Sequence, residues 1–370
     1  MDAELPHAAR AVAVDVLVHG PQSRTQLARK MGVSPATLTR LVRPLLEAGV
    51  LVESDAVRTP GRGRSSLPLD VVADAYRFVG VKLTAESIYA VVTDLRAEVL
   101  DSETLAEPSL EVADVVAAVA GVVTRLAARA ARTVRAVGVT VGGTVEKGET
   151  VADSPFLQWH EVPFRTLLAD EIVAPVYLAN DVVGLTKAQQ WFGYGRTHAD
   201  FALMTVGAGV GYGLVINHET IPTLVSPISH LPIDPYGPLC PAGHRGCMTA
   251  YATSGAITAA VEQVHRRAVG YEQVLQLARD GDAVAARVVA EAAHALGRAV
   301  AAITSLTGVE QIILSGEGVA LAEVAADALL SGRLDHRVGS ATSPTPIIQP
   351  MDFLEWARGA AVVAIQAVFP

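Results

Sequence analysis

Apolar positions change their period repeatedly along the chain. From Ser23 to Met31 a capping-box spacing, Ser23 to Gln26, opens a short helical pattern that Gly32 stops. A second helix starts with Ser34 as N-cap and Pro35 in the first turn. It carries Leu38, Leu41, Val42 and Leu45 at i, i+3, i+4 and i+7, and Gly49 follows it. Pro44 lies inside this pattern and predicts a kink or an early end near Arg43. Val50–Glu53 then reads as a strand. From Tyr76 the texture becomes Val-rich strands alternating with Ala-rich helices. Strands are expected at 78–83 and 88–94, a helix at 112–130, and a strand at 134–140 ending in Gly142-Gly143. The order returns later as a strand at 201–206, a glycine turn, a strand at 212–216, helices between 252 and 307, and a strand at 311–314. Two related α/β lobes with a cleft between them are the expected body.

Two helices joined by a tight turn form a helix-turn-helix, whose second helix enters a DNA major groove. Turning the leucines inward leaves Ala36, Thr37, Thr39, Arg40 and Arg43 outward. Small residues and Thr suit base edges and the thymine methyl, and arginines reach phosphate or guanine. A helical protein-interaction module is the plainer alternative. The segment that follows, Arg58-Thr59-Pro60-Gly61-Arg62-Gly63-Arg64, favours DNA. Glycine-interleaved arginines such as Arg62, Gly63 and Arg64 can lie flat in a minor groove as the tip of a hairpin wing, although a basic linker would have the same composition.

Charge agrees with this division. Of the 370 residues, 1–68 carry a formal +3 and the remainder −12, for a net −9, so a small basic module is attached to an acidic body. At 51% apolar and only 5% aromatic residues, the core is built from Ala, Val and Leu, and global disorder is excluded. Two cysteines seven apart are a poor disulfide framework and a fair fragment of a metal site, as expected in a reducing cytoplasm. The first residues lack the pattern of a signal peptide, and no apolar run reaches membrane-spanning length.

The helix-turn-helix with its Gly-Arg-Gly-Arg wing, Gly142-Gly143, Trp159-His160-Glu161-Val162-Pro163, Asn180-Asp181, Gly207-Ala208-Gly209-Val210-Gly211 and His230-x9-Cys240-x2-Gly243-x2-Gly246-Cys247 occur in this order. Together they resemble the ROK family (repressors, open reading frames and kinases) over nearly the whole chain. The resemblance implies an α/β chain: a winged helix-turn-helix at 1–70, then a two-lobed, actin-like, sugar-kinase-like body at 71–370 for effector binding and dimerisation. Members with the head are sugar-responsive transcription regulators, and those without it are often sugar kinases. Operator DNA, a sugar-like effector and a homodimer or homotetramer are the implied partners, with no membrane.

Within that resemblance Asp181 matches the catalytic base and Asn180 a neighbouring sugar ligand; Gly143 and His230 complete the effector residues. The kinase Asp-x-Gly-Gly-Thr loop, however, aligns with Lys82, Thr84, Ala85 and Glu86, which reverses the charge needed for Mg²⁺ and removes the glycines that admit phosphate. Neither ATP nor Mg²⁺ is expected, and no enzyme activity. The glycine turn at 207–213 reads equally as plain structure. Val182-Val183, Pro227, Thr249 and Phe156 also depart from the kinase pattern and make the pocket more apolar. Family members hold a structural zinc with one His and three Cys. Here His230, Cys240 and Cys247 match, Ala242 replaces the middle cysteine, and His244 is the candidate fourth ligand; a metal-free loop is the alternative. A kinase with a DNA-binding head, and a ligand-independent DNA-binding dimer, are the competing functions.

Overall fold

The computed structural model describes residues 7–54, 67–106, 109–222, 227–335 and 344–369. Its chain forms two compact units, Met1–Arg196 with Leu354–Pro370, and Thr197–Phe353. No helix among the described residues is long and apolar enough to cross a membrane.

The first unit begins with three helices, α1 (His7–His19), α2 (Arg24–Lys30) and α3 (Pro35–Glu47), and a two-stranded antiparallel hairpin, β1 (Leu51–Glu53) with β2 (Leu69–Val71). The expected caps are in place. Ser23 and Gln26 close a full capping box, and the Ser34 hydroxyl accepts the Thr37 N–H at 3.1 Å. Leu38, Val42 and Leu45 are fully buried, with Leu41 half-buried beside them. Pro44 does not end α3, which continues to Glu47, and the next backbone bond, Ala48 N–H to Pro44 O, forms at 2.9 Å. The carbonyl deprived of its partner belongs to exposed Arg40, where water can replace the lost bond. The tip joining β1 to β2, with Arg58, Arg62, Gly63 and Arg64, lies outside the described residues.

A five-stranded sheet follows, built from β3 (Arg77–Leu83), β4 (Ser87–Thr93), β5 (Val99–Ala106), β6 (Val134–Val141) and β10 (Val176–Asn180), in the order β10-β6-β3-β4-β5. Helix α4 (Val112–Arg129) joins β5 to β6. A small antiparallel sheet of β7 (Thr144–Glu146), β8 (Thr150–Ser154) and β9 (Trp159–Val162) and helix α5 (Phe164–Glu171) precede β10; α6 (Asp181–Phe192) leaves it. β3 is buried along its whole length because both faces are covered. Val79, Val81 and Leu83 join the core containing α4, so Gly80 and Lys82 fall on the opposite face.

The second unit repeats this plan with β11 (Phe201–Val206), β12 (Val210–Ile216), β13 (Glu219–Ile221), β14 (Ile312–Gly316) and β15 (Ile347–Pro350), in the order β13-β12-β11-β14-β15. In both sheets the first strand is central, its antiparallel partners run to one edge, and two parallel strands fill the other. The recurrence expected from the sequence is thus a repeat of topology. Helices α7 (Met248–Ala252), α8 (Ser254–His265), α9 (Tyr271–Arg279), α10 (Ala283–Thr307), α11 (Leu321–Val324) and α12 (Ala326–Leu334) complete this unit, whose core centres on α10.

Helix α13 (Phe353–Val368) returns the chain to the first unit and lies on the Gly80 face of its sheet. Its backbone comes so close that a Cβ on Gly80 would stand 2.0 Å from Ala357 O, and one on Gly138 1.8 Å from Ala360 O. The far end of α13 continues into the core of the head. Ala361, Val362, Ala364, Ile365 and Phe369 belong to one cluster with Val12, Leu27, Leu38, Leu45 and Leu69. Arg96 pairs with Asp70 at 2.5 Å, so head and lobe are joined by a polar contact as well.

Gly138→Ala is expected to force α13 from the sheet and cost about 1–3 kcal/mol or more, seen as a lower thermal unfolding midpoint. Gly255→Ala, where a new Cβ meets open space, serves as the neutral control. An unchanged midpoint in Gly138→Ala would refute the close approach.

Candidate functional site

On the outward side of α3, Ala36, Thr39, Arg40 and Arg43 are exposed and Thr37 is half-buried. Thr37 and Thr39 are engaged at the helix start: the Thr37 hydroxyl lies 3.0 Å from that of Ser34, and the Thr39 hydroxyl donates to Pro35 O at 2.9 Å. Arg43 pairs with Glu47 at 2.7 Å, and this bond raises its pKa. Arg40 has no ion pair among the described residues, which leaves a guanidinium open to a phosphate or a guanine edge. Behind this surface, buried Asp15 of α1 accepts an ion pair from Lys30 and a hydrogen bond from Gln22 at 2.8 Å, fixing α1 to the end of α2.

In the first unit, Asn180 and Asp181 stand where β10 becomes α6. The Asn180 side-chain oxygen caps the helix, accepting N–H bonds from Val182 at 2.9 Å and Val183 at 3.2 Å; its NH₂ donates to Gly143 O at 2.8 Å. Asp181 accepts the Val182 N–H with one oxygen at 2.9 Å. Its other oxygen is paired with the ammonium of Lys82, across 99 residues of sequence. Lys82 is 5% exposed, and its nitrogen lies 5.3 Å from the centre of the Trp356 ring at the start of α13. A Cβ on Gly142 would stand 3.0 Å from Phe156 and 3.3 Å from Asp181, so an aromatic ring flanks the carboxylate. The structure thus gathers Gly143, Asn180, Asp181, Lys82 and Phe156; His230 belongs to the second unit.

The glycine turn of the second unit holds a carboxylate of its own. Ala208 N–H donates to Glu317 at 2.9 Å, and a Cβ on Gly207 would stand 1.9 Å from that carboxylate. A backbone donor that could cradle phosphate is spent on a negative side chain, which opposes an anion at the same place.

The cysteine loop, also in this unit, draws four donors together. The Nδ1 of His230 lies 3.6 Å from the sulfur of Cys247 and 3.8 Å from that of Cys240; the Nδ1 of His244 lies 3.7 Å from Cys240. One donor atom each from His230, Cys240 and His244 falls within 4.8 Å of the others. Both cysteines are free and buried. Sulfur and nitrogen ligands at about 2.3 and 2.0 Å from a tetrahedral metal stand about 3.5 Å apart, so the spacing and the soft donor set fit such an ion. Burial, and after it the charge of His244, lowers the pKa of His230 toward the neutral imidazole that a metal needs. Burial alone would raise the Cys240 thiol, but backbone N–H bonds, from His244 first, bring it below its ordinary value. Burial raises the Cys247 thiol. Gly246, at φ +59°, shapes the loop: a Cβ there would stand 1.6 Å from Asp234 O, and the Asp234 carboxylate accepts the Tyr251 hydroxyl at 3.0 Å.

The model of the ROK family matches residues 78–361. The chain belongs to the ROK family. Among its curated relatives, a xylose repressor of Caldicellulosiruptor bescii is 23% identical, over 80% of this chain and 79% of the relative. The DNA-binding transcriptional repressor Mlc of Escherichia coli is 25% identical over 80% of this chain and 77% of its own. Of solved structures, a ROK family transcriptional regulator, a homologue of E. coli Mlc, is superposable with a TM-score of 0.82 at 21% identity, covering 98% of this chain and 97% of that one. A ROK family glucokinase from Streptomyces griseus, solved with glucose and AMPPNP, gives 0.68 at 24% identity, over 78% of this chain and 99% of that one. The same fold is thus shared with chains named as a transcriptional regulator and as a glucokinase, and two contacts of this ROK chain had no signal in its sequence. Lys82 was legible as a reversed charge but not as the partner of Asp181, and Glu317 carried no signal of its place in the glycine turn.

Proposed function

We propose that this ROK protein is a DNA-binding transcription regulator, a repressor, whose body senses a sugar-like effector and has no kinase activity. The observation that carries the reading is the capped α3, with Arg40 open on its outer face, joined through one apolar core to the lobe that holds Asn180 and Asp181. The names of its relatives, a xylose repressor and a DNA-binding transcriptional repressor among them, support the same reading. The DNA surface comprises Ala36, Thr37, Thr39, Arg40 and Arg43 with the wing residues Arg62, Gly63 and Arg64, and the module boundary falls near residue 70. Operator half-sites call for a two-fold partner, so the working form is a homodimer or homotetramer in the cytoplasm.

Loss of catalysis follows from charge. Lys82 ties up the carboxylate that would accept a sugar proton, and Glu317 fills the turn that would face phosphate. Effector recognition falls to Gly143, Asn180 and Asp181 in the first unit; His230, the remaining residue of the effector reading, lies in the second unit on the cysteine loop. A structural zinc, held by His230, Cys240, His244 and Cys247, would close that loop with four soft or borderline donors.

Arg40→Ala should weaken operator binding and lower the salt slope of log K by about 1, measured by fluorescence anisotropy across a salt series; an unchanged slope excludes Arg40 from the phosphate contacts. Sugar-dependent ADP release should equal that of Asp181→Asn, and a clear excess in the unmutated protein would restore the kinase reading. Metal analysis should find about one zinc per chain, reduced in His244→Ala and in Cys240→Ser. Full zinc content in His244→Ala would remove His244 from the ligand set.

A further inference from the structure

The hydrogen-bonding inventory around Asp181 is unbalanced. A lysine ammonium has three N–H bonds to give, and among the described residues Lys82 spends one, on Asp181. The indole N–H of Trp356 is buried and has no partner among the described residues. Asn180 has spent both acceptor sites of its oxygen on the α6 backbone and one N–H on Gly143, leaving one N–H. Each oxygen of Asp181 is already engaged once. The open capacity nearest the buried lysine is therefore mostly donor capacity. Phe156, 45% exposed, adds an apolar ring at the same place.

We propose that the effector of this site is anionic: a polyhydroxylated molecule with a carboxylate or phosphate group, whose oxygen takes the N–H bonds that Asp181 leaves open on Lys82. This rests on the effector reading above and names its ligand class. A neutral hydroxyl brings a proton that itself needs an acceptor, and acceptors are the scarce component here. A carboxylate or phosphate oxygen only accepts, and its bonds to an ammonium are charge-assisted. Competition for Lys82 also gives the ligand a lever. Asp181 is the first residue of α6, and Ala188, Trp191 and Phe192 at the other end of that helix pack in the cluster that contains the core of the head. An oxygen that draws Lys82 away from Asp181 acts at one end of an element whose other end supports the DNA-binding helices.

The test is calorimetric titration of the full-length protein with pentoses and hexoses, their aldonates and their phosphates, each also tested for release of operator DNA. An aldonate or a sugar phosphate should bind at least about tenfold more tightly than the parent neutral sugar, and the two arms separate carboxylate from phosphate. Lys82→Met should abolish that preference. Asp181→Asn, which removes the competing carboxylate, should strengthen anion binding, a gain that a misfolded protein would not give. The proposal is overturned if a neutral sugar binds as tightly as its anionic forms, if none of the anions binds, or if Asp181→Asn weakens them. A neutral sugar that releases operator would overturn it and leave the regulator reading standing, whereas a protein that binds no operator at all would remove that reading itself.

Discussion

The approach of α13 to the first sheet is the constraint on which the unit depends. Two glycines, Gly80 on β3 and Gly138 on β6, let the helix backbone reach the strands, and no side chain could occupy either position without moving it. That contact fixes both ends of the helix. At one end Trp356 is set beside Lys82; at the other, Ala361 to Phe369 enter the core of the head. Midway, Arg358 donates to Ala97 O at 2.7 Å, holding the turn after β4 that also meets the head through Arg96. One rigid element thus touches the candidate effector residues and the DNA-binding module. A regulator needs such an element, because coupling two places requires a body whose arrangement both can bias.

The ion pair beneath α13 fits regulation better than catalysis. Buried pairs contribute little net stability, since the cost of removing two charges from water offsets most of their attraction. Removing one partner leaves the other uncompensated, so the pair constrains which ligands can enter more than it strengthens the fold. In the second unit Glu317 has a matching effect of opposite sign. A cation stands beside the would-be base and an anion stands in the would-be phosphate turn. The two features lie on separate units, Lys82 on β3 and Glu317 just after β14.

What could be read from the sequence was local. Caps at Ser23 and Ser34, the apolar spacing of α3, and the strands β3, β4, β6, β11, β12 and β14 with helix α4 are set by neighbours within a few residues and were legible, whereas β5, β10, β13, β15 and α13 were not read. Helix α1 was not read, because its apolar positions make only a weak stripe and its buried polar residue, Asp15, is satisfied by Lys30 and Gln22 from the next segment. The continuation of α3 through Pro44 was misjudged because the broken bond falls on the exposed side, a fact of burial rather than of spacing. The contacts of Lys82 with Asp181 and of Glu317 with Ala208 join positions about a hundred residues apart, and no periodicity encodes them.

The cysteine loop shows how a frame can hold its donor positions without help from the residue at 242. Its backbone is held by bonds that do not involve residue 242: Cys240 N–H to His244 O at 2.9 Å, Gly246 N–H to Pro238 O at 2.6 Å, and Ile233 N–H to Gly246 O at 2.8 Å. Tyr251 and the N–H of Tyr236 hold the Asp234 carboxylate from two sides, and the left-handed Gly246 seals the turn against Asp234. With the frame fixed in this way, the places of Cys240, Cys247 and His230 do not depend on a third sulfur. Ala242 offers no donor, and two residues along the exposed ring of His244 stands 4.3 Å from that of His230. A donor set of two sulfurs and two imidazoles is as sound for a tetrahedral metal as three sulfurs and one imidazole. In the zinc reading proposed above, the departure from the family motif changes which residue would complete the shell while leaving its chemistry of the same kind.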